Sequence, residues 1–240
     1  MNTTQKLIQA YFNYAYNPVY DFVTGRFSRY HHLQQRCVGK LDLKDKDRVL
    51  CVGVGTGNEI VHILQRNSNV SIVGVDYSRT ALRKAYRKAL TLSKETKLLL
   101  MDARHLDFAA GSFDKVLCIH VMDFVEENEK VTNEILRVLK EGGRFVITYP
   151  SDKEGPRLAV NLLSDSLRHG INSGKHRVRA LLESLAQMLA GIVYLPLLFR
   201  PKRKSYSHSE LEAMLTRSTA GDCQMEEDTV YQDFIVCGEK

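Results

Sequence analysis

Three glycines in five positions, Gly53, Gly55 and Gly57, end the apolar run Val49-Leu50-Cys51-Val52 and lead into Asn58-Glu59. Bare backbone at such a turn lets N–H groups approach a nucleotide-like ligand that a side chain would block, and the turn itself calls for positive φ. A second run, Val70 to Asp76, closes on a carboxylate. An acid there sits over the first glycine turn and can accept both hydroxyls of a ribose. The competing reading is a carboxylate capping the next helix, a task Ser78 could also do. Asp102 closes a third run, Leu98-Leu99-Leu100-Met101. After a fourth comes His120-Val121-Met122-Asp123-Phe124, an imidazole and a carboxylate three positions apart. His120 suits a general base near neutral pH, or a strand-end histidine bonded to a neighbouring carbonyl. Asp123 suits a base or a metal ligand.

Such residues need a frame. Apolar runs near 49–52, 70–76, 98–101, 113–120 and 142–150 alternate with helical spacings, the pattern of a doubly wound α/β sheet. Ser78 to Ser93 reads as a helix capped by Ser78, and Glu126 to Leu139 as another, ended by a Glu141-Gly142-Gly143 turn. Ser207 or Ser209 caps a last helix, and Val230 to Gly238 gives a terminal strand, expected to be antiparallel. In such a sheet ligands bind beyond the carboxyl ends of the strands, where the 120–124 loop lies. The glycine string is G-x-G-x-G, with Asn58 where a dinucleotide fingerprint has its third glycine.

The order of Gly53-x-Gly55-x-Gly57, Asp76, Asp102-Ala103, Phe113-Asp114 and Leu139-Lys140-Glu141-Gly142-Gly143 resembles the class I S-adenosylmethionine-dependent methyltransferases over about residues 45 to 150. The resemblance implies a Rossmann-like doubly wound sheet, mostly parallel with an antiparallel last strand. It implies that the three glycines meet the methionine part and ribose of S-adenosylmethionine. Asp76 would bind the ribose hydroxyls, with Tyr77 beside it, and Asp102 and Ala103 would lie against the adenine. His120 borders the same site. Where the family carries an acid two residues before the first glycine, this chain has Cys51, a poor partner for the cofactor's ammonium, since a thiol is neutral at its ordinary pKa of about 8.5.

The chain has 240 residues, enough for one α/β domain, with net charge +6. Five scattered cysteines form no zinc spacing and suit a reducing compartment. Lys6-Leu7-Ile8 is too short for a signal peptide. Residues 1–44 read as a helical cap rich in tyrosine (Tyr11, Tyr14, Tyr16, Tyr20), with Pro18 breaking any continuous helix. Asn17 to Val23, followed by Phe27-Ser28, resembles the cap of quinone C-methyltransferases and phospholipid N-methyltransferases, which implies a cap that closes over the cofactor and shapes the acceptor pocket, with Tyr20 as a candidate catalytic residue. Arg36, Lys40 and Lys44 read as solvated surface. Arg79, Arg83, Lys84, Arg87 and Lys88 form a basic helix face, read as solvated, with lipid or RNA contact less favoured and no DNA-methylating loop signature nearby.

Residues 45–150 are the cofactor core, and 205–240 the last helix and strands. Residues 151–204 read as a basic helical insertion after the fifth strand. It contains the apolar run Met188 to Phe199, followed by Arg200-Pro201-Lys202-Arg203-Lys204. Twelve residues fall short of the ~20 that span a bilayer. The run suits a lid, or attachment to an anionic membrane surface from the cytoplasmic side. Cys51 and the string Val52 to Glu59 resemble the rhodoquinone-biosynthesis enzymes, methyltransferase relatives that use S-adenosylmethionine as amino donor, with manganese, to replace a methoxy group of ubiquinone. That resemblance implies a quinone acceptor and a metal, with Asp123 and His120 as candidate ligands. Ordinary methylation of a quinone or phospholipid, or a non-catalytic membrane- or RNA-associated protein, are the other readings.

Overall fold

A computed structural model describes residues 10–25, 28–92, 96–152, 204–218, 223–228 and 233–240. The expected insertion, apart from its first and last residues, lies outside them, as do Phe27 and the start of the expected terminal strand.

A π-helical turn, Phe12–Tyr16, runs into α1 (Asn17–Thr24), and α2 spans Ser28–Lys40. Pro18 does not break this helix, contrary to expectation. It stands in the first turn of α1, and the chain stays helical on both sides of it. The wider π turn ahead of Pro18 accommodates its ring and missing N–H, the usual cause of such irregularities.

The core follows as β1 (Arg48–Val52), α3 (Asn58–Arg66), β2 (Ser71–Asp76), α4 (Arg79–Leu92), β3 (Thr96–Leu100), β4 (Phe113–Cys118), α5 (Asn128–Val138) and β5 (Leu139–Pro150). Then come α6 (His208–Ser218), β6 (Cys223–Glu227) and β7 (Asp233–Glu239). The seven strands lie in the order β3-β2-β1-β4-β5-β7-β6. β7 runs antiparallel to both neighbours, and the pairs among β1 to β5 are parallel. The residues of β6 were not singled out beforehand: Cys-Gln-Met-Glu-Glu lacks β-branched residues, and only pairing with β7 makes it a strand.

Two apolar layers cover the sheet. One joins Leu50, Val52, Val116 and Cys118 to α5 and α6; the other joins Val49, Cys51, Leu117 and Val146 to α2 and α3. Burial on both faces explains why the central strands read as continuous apolar runs. The order reverses at β1, whose neighbours are β2 and β4. This switch point leaves a crevice at the carboxyl edge.

Some local expectations need revision. α5 ends at Val138 and passes directly into extended backbone, with no glycine C-cap. Gly142, at φ 71°, lies inside β5 opposite a register shift in β4, and its N–H donates to the Lys240 carbonyl at 2.8 Å. Arg36 and Lys40 are not simply solvated. Arg36 pairs with Asp228 at 2.6 Å and with Glu226, and Lys40 pairs with Glu226 at 2.8 Å, tying α2 to the β6 edge. Ser78 and Ser207 do cap their helices, through the N–H groups of Ala81 at 3.3 Å and Glu210 at 3.4 Å. Among the described residues no helix is long and apolar enough to cross a membrane.

Candidate functional site

The glycine turn joins β1 to α3 at the switch point. Gly53, Gly55 and Gly57 have φ of 67°, 53° and 86°, a region that costs other residues about 1–2 kcal/mol. Their surroundings differ. A Cβ on Gly53 would lie 2.1 Å from Val121 Cγ2, and one on Gly57 2.9 Å from Ala85 Cα. A Cβ on Gly55 would have nothing nearer than 3.9 Å. Gly53 and Gly57 therefore let the turn press against the loop after β4 and against α4, while Gly55 faces open space.

Asp76 ends β2 beneath this turn. Its Oδ2 accepts the Gly55 N–H at 2.9 Å and its Oδ1 the Ser78 N–H at 2.8 Å. Burial raises its carboxyl to about 6, against the lowering effect of those N–H groups. The Tyr77 N–H bears on it as well, and a carboxylate with about four lone-pair sites keeps room to accept a hydroxyl. A turn open at Gly55, flanked by a buried two-oxygen acceptor, fits the ribose and methionine end of S-adenosylmethionine.

Asp102 stands differently. It follows β3, whose end pairs with Asp76, and Arg104 grips its carboxylate through Nε at 3.0 Å and Nη2 at 2.6 Å. Those contacts hold its carboxyl below its ordinary range. Its side chain is half-exposed, while Ala103 packs against the core. Asp102 thus reaches the expected edge, but Arg104 already occupies its carboxylate.

The helical cap lies across the same edge. Asp21 accepts Thr56 Oγ1 at 2.6 Å and Lys88 Nζ at 2.7 Å, and Lys88 also donates to Asn58 at 2.6 Å. Asn17 donates to Ser78 at 2.8 Å, and Lys84 to the Pro18 carbonyl at 2.9 Å. Two cations of the basic α4 face therefore turn toward the cap. Phe12 meets Tyr77, Tyr16 and Phe124 edge-on, with centroids 5.9, 5.1 and 5.3 Å away. Tyr16 leads to Tyr20, whose hydroxyl bonds that of Tyr30. Burial first, then its neighbours, raises the Tyr20 phenol well above its usual value, so it stays neutral.

Tyr30 stacks on His120 at 5.5 Å and 23°. His120 has φ 54°, a left-handed conformation uncommon outside glycine, and its N–H donates to Thr148 Oγ1 at 2.8 Å. Its Nδ1 lies 3.0 Å from Asp233 Oδ2 and 3.5 Å from Asp123 Oδ2. Burial alone would push the imidazole down, but the Asp233 and Asp123 carboxylates overcome it and raise it. The two acids thus favour the protonated form of His120. These three residues offer ligand atoms within 4.8 Å of one another.

Cys51 sits mid-sheet beside Gly74 and Leu117, with 1% of its surface exposed. Burial, then the Glu59 carboxyl and Cys118, raise its thiol far above its usual value, so it carries no charge.

Tyr30, Glu59 and Asp233 join the site without having been expected there. Asp233 had a topological signal: an antiparallel last strand begins at the carboxyl edge of the parallel sheet. Glu59 had one as well, standing two residues after Gly57; Tyr30 had none, because helix packing alone brings it here.

Residues 50–147 match a family model described as a methyltransferase domain. Phosphatidylethanolamine N-methyltransferase of Cereibacter sphaeroides is 36% identical over 146 residues, covering 59% of this chain and 68% of that protein. Demethylmenaquinone methyltransferase of Thermus thermophilus is 33% identical over 113 residues, covering 47% of this chain and 51% of that one. The structure of an S-adenosylmethionine-dependent methyltransferase from Aquifex aeolicus shares the fold, with TM-score 0.57 and 16% identity, covering 85% and 87% of the two chains.

Proposed function

The chain belongs to the class I S-adenosylmethionine-dependent methyltransferases, and we propose that it is an S-adenosylmethionine-dependent transferase that modifies a membrane quinone. Its specific reaction, in this reading, is amino transfer that converts ubiquinone to rhodoquinone. The observation that carries it is the composition of the site. A line of rings from Tyr77 through Phe12, Tyr16, Tyr20 and Tyr30 ends at His120, beside two carboxylates. Flat apolar walls next to a compact charged group suit a quinone, whose ring is apolar and whose carbonyls accept hydrogen bonds.

His120 with Asp123 and Asp233 is a donor set suited to a hard divalent cation such as manganese. A metal held there would polarise a quinone carbonyl as a Lewis acid. It would also require the His120 proton to leave. Without a metal, the same imidazolium can donate a hydrogen bond to the carbonyl, and Tyr20 and Tyr30 can orient the ring. The neutral Cys51 supports a cofactor amino group handled differently from that in ordinary methyl transfer. The 151–204 segment would bring the site to an anionic membrane surface on the cytoplasmic side.

The second reading is methyl transfer to a quinone or phospholipid. It is favoured by the likeness to a phosphatidylethanolamine N-methyltransferase. The test is a mass-spectrometric product assay in mild detergent with S-adenosylmethionine and ubiquinone, with and without manganese, beside a demethylated quinone precursor. Amino in place of methoxy establishes the amino-transfer reading; a product that gains only a methyl group replaces it with the second.

A further inference from the structure

Cys51 leaves the cofactor's ammonium without the acid that β1 would carry, and the carboxyl edge shows which acid is near. Glu59 is the second residue of α3, directly after the glycine turn, and is buried. Two residues beyond Gly57 and tied to α2 through Gln34, it stands at the end of the turn where the methionine part of a cofactor would lie. Burial raises its carboxyl, so a cation beside it would favour the ionised form.

Among the described residues, the other acids at this edge are committed. Asp21 faces Lys88 at 2.7 Å and Lys84 at 3.8 Å. Asp76 accepts two backbone N–H groups beneath the ribose position. Arg104 clamps Asp102, and Asp123 and Asp233 share His120. The side-chain partner of Glu59 is the neutral amide of Gln34, whose Nε2 donates to Oε1 at 2.7 Å. Lys88 is in reach of Glu59 but directs its ammonium at Asp21, Thr56 and Asn58. A buried carboxyl bonded to a neutral amide has acceptor capacity left for a cation.

We propose that Glu59 is the acid that binds the ammonium of S-adenosylmethionine, the charge having moved from the β1 position now held by Cys51 to the first turn of α3. The arrangement places the anion on the α2 side of the cofactor rather than at the strand end. The inference rests on use of the cofactor alone and not on the acceptor, which is absent from its test.

The test is calorimetric binding with three probes: S-adenosylhomocysteine, its deamino analogue, and 5′-methylthioadenosine, which lacks the amino-acid end. Wild type should prefer S-adenosylhomocysteine to the deamino analogue by about tenfold or more, the usual weight of a charge-assisted hydrogen bond. Glu59→Gln keeps an acceptor for Gln34 and should erase that preference while 5′-methylthioadenosine binds as before. A purely structural role for Glu59, pinning α3 to α2, would weaken all three probes together and overturn the assignment. So would equal binding of S-adenosylhomocysteine and its deamino analogue by wild type, a measurement that needs no variant. So would a preference that survives in Glu59→Gln.

Discussion

The two halves of the carboxyl edge are built by different means. The β1–β2 half is mostly backbone: three positive-φ glycines, and a carboxylate held by the N–H groups of Gly55 and Ser78. It spans 26 consecutive residues, from Gly53 to Ser78. The β4–β7 half is made of side chains from distant parts of the chain: Tyr30, His120, Asp123, Thr148 and Asp233. The first half presents a shape with fixed N–H groups and suits an invariant cofactor. The second presents charges and rings, and can be retuned for a new acceptor one side chain at a time. The difference teaches where to look for specificity in this fold: on the far side of β1, since the near side is shaped by backbone that single side-chain changes do not retune.

Within the backbone half, the sharpest break is Gly53→Ala. Its Cβ would meet Val121 Cγ2 at 2.1 Å in left-handed backbone. Strain and overpacking together should cost about 2–5 kcal/mol, read in thermal or denaturant unfolding. Gly55→Ala should cost only the strain of about 1–2 kcal/mol, yet lose cofactor binding, because its Cβ points into open space. Equal destabilisation by the two would end the idea that one glycine serves packing and the other the ligand.

The side-chain half should break at His120. His120→Gln leaves Asp233, with 3% of its side chain exposed, as a buried charge without its cation. The expected loss is about 3–5 kcal/mol in denaturant unfolding, partly recovered by adding Asp233→Asn. Affinity for 5′-methylthioadenosine should stay within about twofold, since that ligand engages the other half. A parallel loss of affinity would show the two halves to be one coupled unit.

The smallest effect is one of pH. Asp76 titrates at about 6 because burial raises it. Ribose hydroxyls donate to the ionised form, so affinity is full above that value and is lost as pH falls through it. Binding of 5′-methylthioadenosine should weaken by about tenfold between pH 7 and 5. Asp76→Asn should bind weakly with a flat profile; a flat wild-type profile would remove Asp76 from the ribose.

How far the sequence could be read follows the same division. Gly53, Gly55, Gly57 and Asp76 were legible because a tight turn and a strand end are local. Their function follows from φ and from position in one βαβ unit. Asp102 was legible in place but not in state, because a single neighbour, Arg104, occupies its carboxylate. Pro18 misled because the cost of a proline in a helix can be absorbed by a wider turn beside it. β6 was invisible because its strand character comes from its partner.

The sequence by itself determined the alternating strands and helices of a mostly parallel sheet and the glycine turn, since apolar periodicity and glycine placement are short-range properties; the strand order that puts the switch point at β1 is tertiary. Only the tertiary structure decided that His120 lies between Asp123 and Asp233, that Tyr30 stacks on it, and that Gln34 bonds Glu59. Those facts depend on which side chains meet across the sheet, and on burial. Burial sets protonation through desolvation and neighbouring charge, neither of which a residue carries with it along the chain.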